Sequence, residues 1–548
     1  KKADAAISYG IACVSISGVY CWRNKTAPLP CWEYIPLKGR EVVIAFDSDV
    51  MTKPSVYNAL KRFSLFLRGR GAEVKYLYLW QSNDAGKVGI DDFLAAGHTA
   101  NDMQKLVSAE LKPPQTIDGE LSRLDVSDVE NAERFATRFG EEFRYNHSAA
   151  QWFQWDGKQW NPDERGVSVE KMKETIGKIF SEAAACGDDA RRDALVSGAK
   201  KCRSAMRMQG ALTMARTMPV FSTVFEDYDS NLFRLNTASG VLTLDTQTVD
   251  PHDPADMMTK LCPAPYDKAA QCPKWQKFLA RILPDPDVRL FVQKAVGYSL
   301  SGSTDEQAFF FCYGDGANGK SVFLSVLERL AAQYAVRVPI QTLLKDQYAN
   351  NGGGEKPAPQ LVKLRGARIA LTSEMPKISR LNDELVKDLT GGDSISCRDM
   401  YAKPFTFQPQ MKLWLYGNHK PVISASDDGI WRRVRLIPFT QHIPQAERIT
   451  GLDQQLFEEL PGILRWAIDG FALWRKEGLL PPKAIEEAGS DYREEEDTLK
   501  AFVEYACDFS PDAEITKKAL WDKYVLFAKL EGDQVYRTQR GFNADVKR

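Results

Sequence analysis

The alternation of apolar and polar positions in the first hundred residues predicts a parallel β-α-β unit. Glu41–Phe46 (EVVIAF) is an apolar run of strand length, and Glu73–Leu79 is a second run of the same kind. Between them, Val56–Arg68 repeats its apolar residues with helical spacing. Strands joined by a helix pair in parallel, so this block is expected to contain a parallel sheet.

Hairpins and long helices are predicted for the middle of the chain. Trp152–Trp160 (WFQWDGKQW) has the turn pair Asp156–Gly157 at its centre, and Leu232–Leu244 reads as a second hairpin. Val169–Met218 has helical periodicity. It carries a cluster of basic residues at Lys200, Lys201, Arg203, Arg207 and Arg216. Such a cluster is more often a solvated helix face, and the alternative is a surface that contacts DNA or a neighbouring chain.

The third block contains a strand, a glycine-rich loop and a helix in direct succession. Ala308–Tyr313 (AFFFCY) predicts the strand, Ser321–Ala332 the helix, and the loop between them fits the pattern G-x4-G-K-[ST]. Backbone N–H groups of such a loop surround the β-phosphate, Lys320 reaches the β- and γ-phosphates, and the Ser321 hydroxyl binds Mg²⁺. The sequence therefore predicts a site for ATP and Mg²⁺. Its residues are Gly314, Asp315, Gly316, Ala317, Asn318, Gly319, Lys320 and Ser321.

Two later strands end in polar residues suited to phosphate chemistry. Ala367–Glu374 (ARIALTSE) ends in Glu374, a carboxylate placed to hold the metal and activate the attacking water. Lys412–Asn418 (KLWLYGN) ends in Asn418, which is suited to hold that water against the γ-phosphate. The carboxyl ends of parallel strands meet at one edge of a sheet, so both residues are expected beside the loop.

An arginine pair precedes the last strand of this block. Asp427–Phe439 reads DDGIWRRVRLIPF and contains Arg432 and Arg433. An arginine here would stabilise charge on the phosphoryl group of a neighbouring subunit's ATP. Beyond it, amphipathic helices are predicted at Leu456–Trp474 and Leu499–Phe509.

Composition limits the classes of function. The 548 residues exceed a single core and suggest three or four domains. There are 72 Lys and Arg against 73 Asp and Glu, so a contact with nucleic acid must come from a local basic surface. The ten cysteines form no Cys-x-x-Cys pair and the five histidines are dispersed, which disfavours a zinc site. No apolar run reaches the length of a membrane span, and the scattered cysteines are expected to be reduced thiols of the cytosol.

The order of loop, single-acid strand, Gly-Asn strand and arginine pair resembles the superfamily 3 helicases. More closely, it is similar to the phage and plasmid primase–helicases related to the poxvirus replication helicase. The resemblance rests on the segments GDGANGKSVF, TSEMPK, LVKDLTGGDSISCRDMYAKPFTFQPQMKLWLYGNHKP, DDGIWRRVRLIPF, LFRLNTASGVLTLDTQTVDPHDPADMMTK and CPKWQKFL. It covers about Asp118 to Phe439.

This resemblance implies an AAA+ motor that works as a ring, expected to be a hexamer, with single-stranded DNA in its central channel. Its implied catalytic residues are Lys320, Glu374, Asn418 and either Arg432 or Arg433. It also implies that Asp393–Gln408 is a hairpin in that channel. Its implied DNA-contacting residues are Arg398, Tyr401 and Lys403.

The first block has a separate resemblance. Asp47 and Asp49 follow its first strand one residue apart, so their side chains point to the same side and could share a metal. With Lys87–Phe93, the block resembles a Toprim domain, the metal-binding nucleotidyl-transfer module of primases and topoisomerases. Toprim domains have a Glu just before a segment such as KKADAA, and this sequence begins with that segment at Lys1. Either the chain is truncated here or the site is incomplete, so a catalytic and a structural role both stay open.

The predicted fold class is therefore α/β multidomain. Residues 1–112 form a Toprim-like domain, 113–273 a mixed α+β domain, 274–445 a superfamily 3 AAA+ P-loop domain, and 446–548 a helical region that resembles a truncated winged helix. The function that the resemblance implies is an ATP-dependent DNA helicase of phage or plasmid replication, part of a primase–helicase, that translocates on DNA as a ring with ATP sites between subunits. The resemblance also implies the cytoplasm of a bacterial host as its location. The alternative is a primase or origin-binding initiator whose ATPase acts as a loader or switch.

Overall fold

The structure is a computed structural model, and it describes most of the chain. The described residues are 2–24, 27–51, 53–79, 87–112, 118, 121–345, 358–372, 374, 380–398, 404–423, 428–495, 502–503, 506–507, 514–530, 539, 542 and 546. They divide into two compact units, Lys1–Tyr266 and Asp267–Arg548. No described helix is both long and apolar enough to cross a membrane.

The first unit begins with the predicted β-α-β arrangement. Strand β1 (Glu41–Ile44) pairs in parallel with β2 (Glu73–Leu77), and β3 (Val107–Ser108) adds an antiparallel edge. The helix Pro54–Gly69 connects β1 to β2 and packs its aromatic residues against Trp22, with 4.8 Å between the ring centroids of Trp22 and Phe66. The prediction of a parallel β-α-β unit is confirmed.

Both predicted hairpins of the first unit are confirmed. The strands β4 (Phe143–Asn146), β5 (Gln151–Trp155), β6 (Trp160–Pro162) and β7 (Ser222–Thr223) form one sheet in the order β6-β5-β4-β7. A second sheet has the order β10-β9-β8 and contains β8 (Arg234–Thr237), β9 (Gly240–Thr243) and β10 (Thr248–Asp250). The β5–β6 turn uses Gly157 at a φ of 99°, a left-handed conformation that glycine adopts freely.

The helices of the first unit flank these sheets. The predicted helical region 169–218 consists of three helices separated by short breaks. The α-helices are Lys2–Ser8, Pro54–Gly69, Ile90–Ala95, Ala100–Lys105, Asp128–Phe139, Val167–Ala184, Asp189–Cys202 and Ala205–Ala215, and short 3₁₀ turns span Pro30–Tyr34, Ser48–Met51, Phe225–Asp227 and Pro254–Asp256.

A buried ion network ties the β-α-β block to the β8–β10 sheet within this unit. Arg23 lies 2.9 Å from Asp253 and 2.6 Å from Asp256. Arg234 lies 2.5 Å from Asp256 and 3.1 Å from Asp250, and only 1% of Arg234 is exposed. Removing one partner of such a network leaves an uncompensated buried charge, which is strongly destabilising.

The second unit is built on a five-stranded sheet in which all strand pairings are parallel. Its order is β12-β13-β16-β11-β17, with β11 (Phe309–Tyr313), β12 (Ala335–Val338), β13 (Ile369–Thr372), β16 (Lys412–Gly417) and β17 (Val434–Pro438). Helices and loops bury both faces of the sheet, which explains the nearly continuous apolar sequences of these strands. The strands predicted at 308–313, 367–374 and 412–418 are confirmed.

The α-helices of the second unit are Pro273–Ile282, Pro286–Leu300, Lys320–Ala331, Pro359–Val362, Asp383–Gly391, Asp428–Trp431, Leu452–Phe457, Leu460–Glu477, Lys483–Glu495 and Lys517–Leu530, with 3₁₀ turns at Ala332–Tyr334, Ile340–Leu343 and Gln445–Glu447. The prediction of a single helix at Leu456–Trp474 was wrong, because one helix ends at Phe457 and the next begins at Leu460. Pro461 explains the break, because it lacks an N–H and fits only the first turn of a new helix. The helix predicted at Leu499–Phe509 lies largely outside the described residues.

Glycines allow the two longest helices of this unit to pack closely. A Cβ on Gly297 would lie 2.2 Å from the backbone nitrogen of Phe471, and one on Gly470 would lie 2.1 Å from the carbonyl oxygen of Gln293. The helices Pro286–Leu300 and Leu460–Glu477 therefore touch backbone to backbone. Any side chain at these two positions would force them apart.

Candidate functional site

The glycine-rich loop joins the carboxyl end of β11 to the helix Lys320–Ala331. Gly319 has a φ of 86° and Ala317 a φ of 61°, so the loop makes two left-handed turns. A Cβ on Gly314 would lie 2.2 Å from the Phe439 carbonyl oxygen, and one on Gly319 would lie 2.6 Å from Ile282. Both glycines of the motif are thus required by close approach, and the loop runs into a helix N-terminus, where backbone N–H groups favour anions.

The loop is anchored by the segment that follows β17. The buried side-chain amide of Asn318 donates to the Phe439 carbonyl oxygen at 2.9 Å, and the Ile443 N–H donates to the Ala317 carbonyl oxygen at 2.8 Å. The sequence analysis gave Asn318 no role beyond its place in the loop. The sequence shows only that an Asn lies within the motif, and this does not reveal a partner more than a hundred residues away.

Three predicted catalytic residues meet at the carboxyl edge of the sheet. The Lys320 ammonium donates to the side-chain oxygen of Asn418 at 3.2 Å, and the Asn418 amide nitrogen donates to the Glu374 carboxylate at 3.0 Å. Lys320 also donates to the carbonyl oxygens of Gly314 and, at 3.2 Å, Asp315. The strand order places β13, β16 and β11 side by side, which brings together residues that are almost a hundred positions apart.

Burial and charge act in opposite directions on Lys320. Only 5% of the residue is exposed, and this burial lowers the pKa of its ammonium, against a smaller opposing effect of Cys312, Glu374 and Asp315. The three hydrogen bonds to Asn418, Gly314 and Asp315 satisfy the ammonium in this environment.

The oxygen atoms that would hold Mg²⁺ are accessible. Ser321 and Glu374 are both exposed. A hydroxyl and a carboxylate are oxygen ligands of the kind that Mg²⁺ takes, together with water and substrate phosphates. The residues present therefore fit the predicted ion.

The two arginines before β17 differ in environment. Arg433 is 7% exposed and donates to the Gly429 carbonyl oxygen at 2.6 Å and to the Gln307 side-chain oxygen at 3.3 Å. Arg432 is exposed, and its nearest described contact is Gln307 at 3.5 Å. Which of the two would act on a neighbouring ATP could not be predicted from the sequence, because the exposure of adjacent residues depends on the geometry of the turn.

The arginine pair lies at the edge of the sheet opposite to the loop. β17 pairs in parallel with β11, with Phe309 beside Val434, so the residues before Val434 flank the amino end of β11. The loop begins at the carboxyl end of β11, and five residues of strand span roughly 16 Å. The structure therefore does not bring Arg432 or Arg433 to the Lys320 cluster of the same chain.

The predicted hairpin at 393–408 is confirmed where it is described. β14 (Ile395–Cys397) pairs antiparallel with β15 (Phe405–Phe407). Arg398 is half-buried at the end of β14. Tyr401 and Lys403, the other two predicted DNA contacts, lie outside the described residues.

Lysines surround the acidic pair of the first unit. Asp47 bonds Lys2 and lies 3.1 Å from Lys87, while Asp49 lies 3.1 Å from Lys53. Burial raises the pKa of Asp47, but the hydrogen bonds from Lys2 and Lys87 together outweigh it and leave the pKa below its usual value. Among the described residues, no group of three or more His, Cys, Asp or Glu could hold a metal ion. Metal binding by Asp47 and Asp49 stays a prediction.

Three family models match separate parts of the chain. Residues 132–284 match the model described as "D5 N terminal like". Residues 1–100 match a domain of unknown function (DUF3854), and residues 312–433 match a family of unknown function (DUF5906). The third match contains the loop, Glu374, Asn418 and the arginine pair.

Curated relatives come from large DNA viruses. "Putative helicase L207/L206" of Acanthamoeba polyphaga mimivirus is 30% identical over 260 residues, which cover 44% of this chain and 26% of that protein. "Putative primase C962R" of African swine fever virus is 23% identical over 237 residues, covering 41% of this chain and 24% of that protein. The chain thus spans about a quarter of the length of these relatives.

A solved structure, the apo structure of the NrS-1 C-terminal region (305–718), aligns with 75% of this chain and 91% of that chain at 12% identity and a TM-score of 0.43, too low to support an inference. The family assignment rests on the sequence matches and on the motifs that the sheet assembles. Together, these findings support a primase–helicase family of the poxvirus D5-like type.

Proposed function

We propose that this protein is an ATP-dependent DNA helicase of phage or plasmid replication that translocates on DNA as a ring with ATP sites between subunits. The observation that carries the proposal is the contact chain from Lys320 through Asn418 to Glu374 beside the glycine-rich loop. It combines a phosphate-binding cation, a polar residue for orienting water and a carboxylate at one sheet edge, which is what nucleotide hydrolysis requires.

Each residue of the cluster has a distinct role in this proposal. Lys320 binds the β- and γ-phosphates in place of the loop carbonyl oxygens that it contacts here. Ser321 and Glu374 would hold Mg²⁺, which would neutralise charge on the phosphates. Glu374 accepts a proton from the attacking water, and the Asn418 amide holds that water in line with the γ-phosphate.

The position of the arginine pair supports a ring with shared sites. At roughly 16 Å from the loop of its own chain, measured along β11, an arginine at the amino edge of the sheet cannot reach its own ATP. Arg432 is exposed whereas Arg433 is held by Gly429 and Gln307. Arg432 is therefore the residue proposed to act on the neighbouring subunit's ATP, in an assembly expected to be a hexamer.

The hairpin β14–β15 is proposed to contact single-stranded DNA in the central channel. Its three contact residues are Arg398, Tyr401 and Lys403. Two cations and one aromatic ring match the phosphates and bases of a single strand. A hairpin that shifts with the nucleotide state would convert hydrolysis into movement along DNA.

The test is ATP hydrolysis with and without single-stranded DNA, on material whose oligomeric state is measured by light scattering. Lys320→Ala should abolish turnover, and Glu374→Gln should bind ATP but hydrolyse it slowly. Glu384→Gln, an exposed glutamate on the helix Asp383–Gly391, is the matched control and should behave as the wild type. A rate of ATP hydrolysis that is the same with and without single-stranded DNA would refute the helicase proposal. Normal turnover in Glu374→Gln would show that Glu374 is not the base that activates water.

A second candidate is a primase or origin-binding initiator whose ATPase serves as a loader or switch. The acidic pair directly after β1 favours it, because two carboxylates one residue apart suit a shared metal. Under this alternative, metal-dependent primer synthesis should be detectable and should be lost in Asp47→Ala and Asp49→Ala while ATP hydrolysis persists. An absence of primer synthesis in the wild type would eliminate the primase form of this alternative.

A further inference from the structure

Four cations are concentrated where the helix Asp189–Cys202 meets the helix Ala205–Ala215. We call these residues the basic junction: Lys200, Lys201, Arg203 and Arg207. All four are exposed, and they fall within eight consecutive residues. The chain as a whole has a net charge of −1, so this concentration is local and does not reflect a basic protein.

Most of this charge is not neutralised. No described residue forms an ion pair with Lys200, Lys201 or Arg203, although the Arg203 guanidinium lies 4.9 Å from the ring centroid of Phe180. Arg207 has one carboxylate nearby, Asp128, at 3.5 Å.

Two arginines earlier on the same helix behave differently. Arg191 lies 2.5 Å from Asp125, and Arg192 lies 2.5 Å from Asp189. The fold thus pairs the cations at the start of this helix and leaves those at its end open to a partner.

Helix stability alone does not explain the basic junction. Lysines in the last turn of a helix interact favourably with its dipole, which accounts for Lys200 and Lys201. Arg207 lies in the first turn of the next helix, where a cation faces the positive end of the dipole and is unfavourable. Arg207 is thus placed at a local cost, and its position beside three further exposed cations indicates an anionic partner outside the unit.

We propose that the basic junction binds the phosphate backbone of double-stranded DNA without reading its bases. The chain has no aromatic residue between Cys186 and Thr217, and the ring that contacts Arg203, that of Phe180, is half-buried, so this surface lacks the exposed stacking platforms that single-strand binders combine with basic residues. Lysine and arginine contacts to phosphates fix position and carry no sequence information. This gives the first unit a duplex contact separate from the proposed channel hairpin of the second unit.

The test is binding of a fluorescein-labelled duplex, followed by anisotropy without nucleotide at 50 to 200 mM salt. The variant is Lys200→Ala/Lys201→Ala, because neither side chain has a described contact whose loss would affect folding. Removing two phosphate contacts should reduce the slope of log affinity against log salt by about 1.8. The ratio of affinities at 50 and 200 mM salt should then fall by about tenfold.

Two controls keep the result specific. Lys173→Ala/Lys178→Ala removes the same charge from exposed positions of the preceding helix and should leave the slope unchanged. Lys200→Arg/Lys201→Arg keeps the charge and should bind as the wild type. An unchanged slope in Lys200→Ala/Lys201→Ala, an equal loss in the Lys173 control, or a loss confined to single-stranded DNA would each overturn the proposal. Measuring the same slopes in a Lys320→Ala background tests the basic junction independently of the motor, because duplex binding at this surface does not require the ATP site.

Discussion

Substituting Arg432 and Arg433 one at a time should separate a kinetic arginine from a structural one. Arg433→Ala removes a buried side chain and its 2.6 Å hydrogen bond to the Gly429 carbonyl oxygen. A hydrogen bond from a charged donor contributes about 1.5–3 kcal/mol, which corresponds to a fall in Tm of roughly 3–12 °C for a unit of this size. Arg432→Ala removes only an exposed group with a 3.5 Å contact and should change stability by less than about 0.5 kcal/mol.

Activity should follow the opposite order. An arginine that stabilises the transferring phosphoryl group contributes about 10³–10⁵ in kcat, so Arg432→Ala should lose turnover while it keeps its Tm and its oligomeric state. Arg433→Ala should retain turnover at a temperature below its lowered Tm.

The decisive assay mixes two inactive variants, Arg432→Ala and Lys320→Ala. A site formed by the loop of an Arg432→Ala subunit and the arginine of a Lys320→Ala neighbour is complete. Random mixing at equal amounts should restore about a quarter of the sites, given one arginine supplied in trans to each. A mixture that stays inactive would refute the shared site, and so would an Arg432→Ala protein with turnover within tenfold of the wild type.

Three further predictions concern stability. Arg234→Ala removes the buried cation that Asp250 and Asp256 share and leaves their charge incompletely compensated, which should cost about 3–5 kcal/mol by urea denaturation. Lys173→Ala should be neutral, and equal midpoints for the two variants would show that the shared cation adds nothing. Gly297→Ala should destabilise the second unit, because its Cβ would lie 2.2 Å from a backbone nitrogen. Gly177→Ala is the control: nothing lies within 4 Å of its Cβ, so it should stabilise the first unit by about 0.5–1 kcal/mol. A loss of stability in both variants would mean that the helix–helix contact is not the cause. Asp47 has a lowered pKa in the folded state, so it contributes stability above its unfolded pKa of about 3.9, and this contribution is lost as the pH falls further. Asp47→Asn should therefore flatten the acid side of the plot of unfolding free energy against pH. An unchanged plot would contradict the lysine contacts.

The strands of the motor could be predicted because a doubly covered parallel sheet requires continuous apolar runs, and β11, β13 and β16 have them. The loop could be predicted because phosphate binding fixes its residue types. The break after Phe457 was missed although Pro461 marks it, because the apolar periodicity continues through Pro461 and outweighed the proline in the prediction. Sequence spacing could establish neither the strand order nor the anchoring of Asn318 by Phe439, because both depend on which distant segments pair.

The same limit applies to the arginine pair. Arg432 and Arg433 are equivalent in the sequence, and their difference arises where a short helix meets a strand. Arg433 turns into the unit because its backbone carbonyl already accepts the N–H of Phe309 at 2.9 Å, which fixes the register of β17 against β11. Once that register is set, the preceding side chain must face outward.

The choice of an amide at position 418 follows from the two groups that it joins. Its oxygen accepts from the Lys320 ammonium and its nitrogen donates to the Glu374 carboxylate. A carboxylate at this position would satisfy Lys320 but repel Glu374, and an apolar residue would lose both contacts. An amide is neutral and carries its acceptor and its donors on separate atoms, so it can link a cation on one strand–loop junction to an anion on another without changing the charge of the site. In the proposed reaction, Lys320 exchanges its loop carbonyl contacts for phosphate oxygens. Any movement of its ammonium would then shift Glu374 through the side chain of Asn418. In the proposed reaction, the position of Glu374 therefore depends on whether the phosphates are bound.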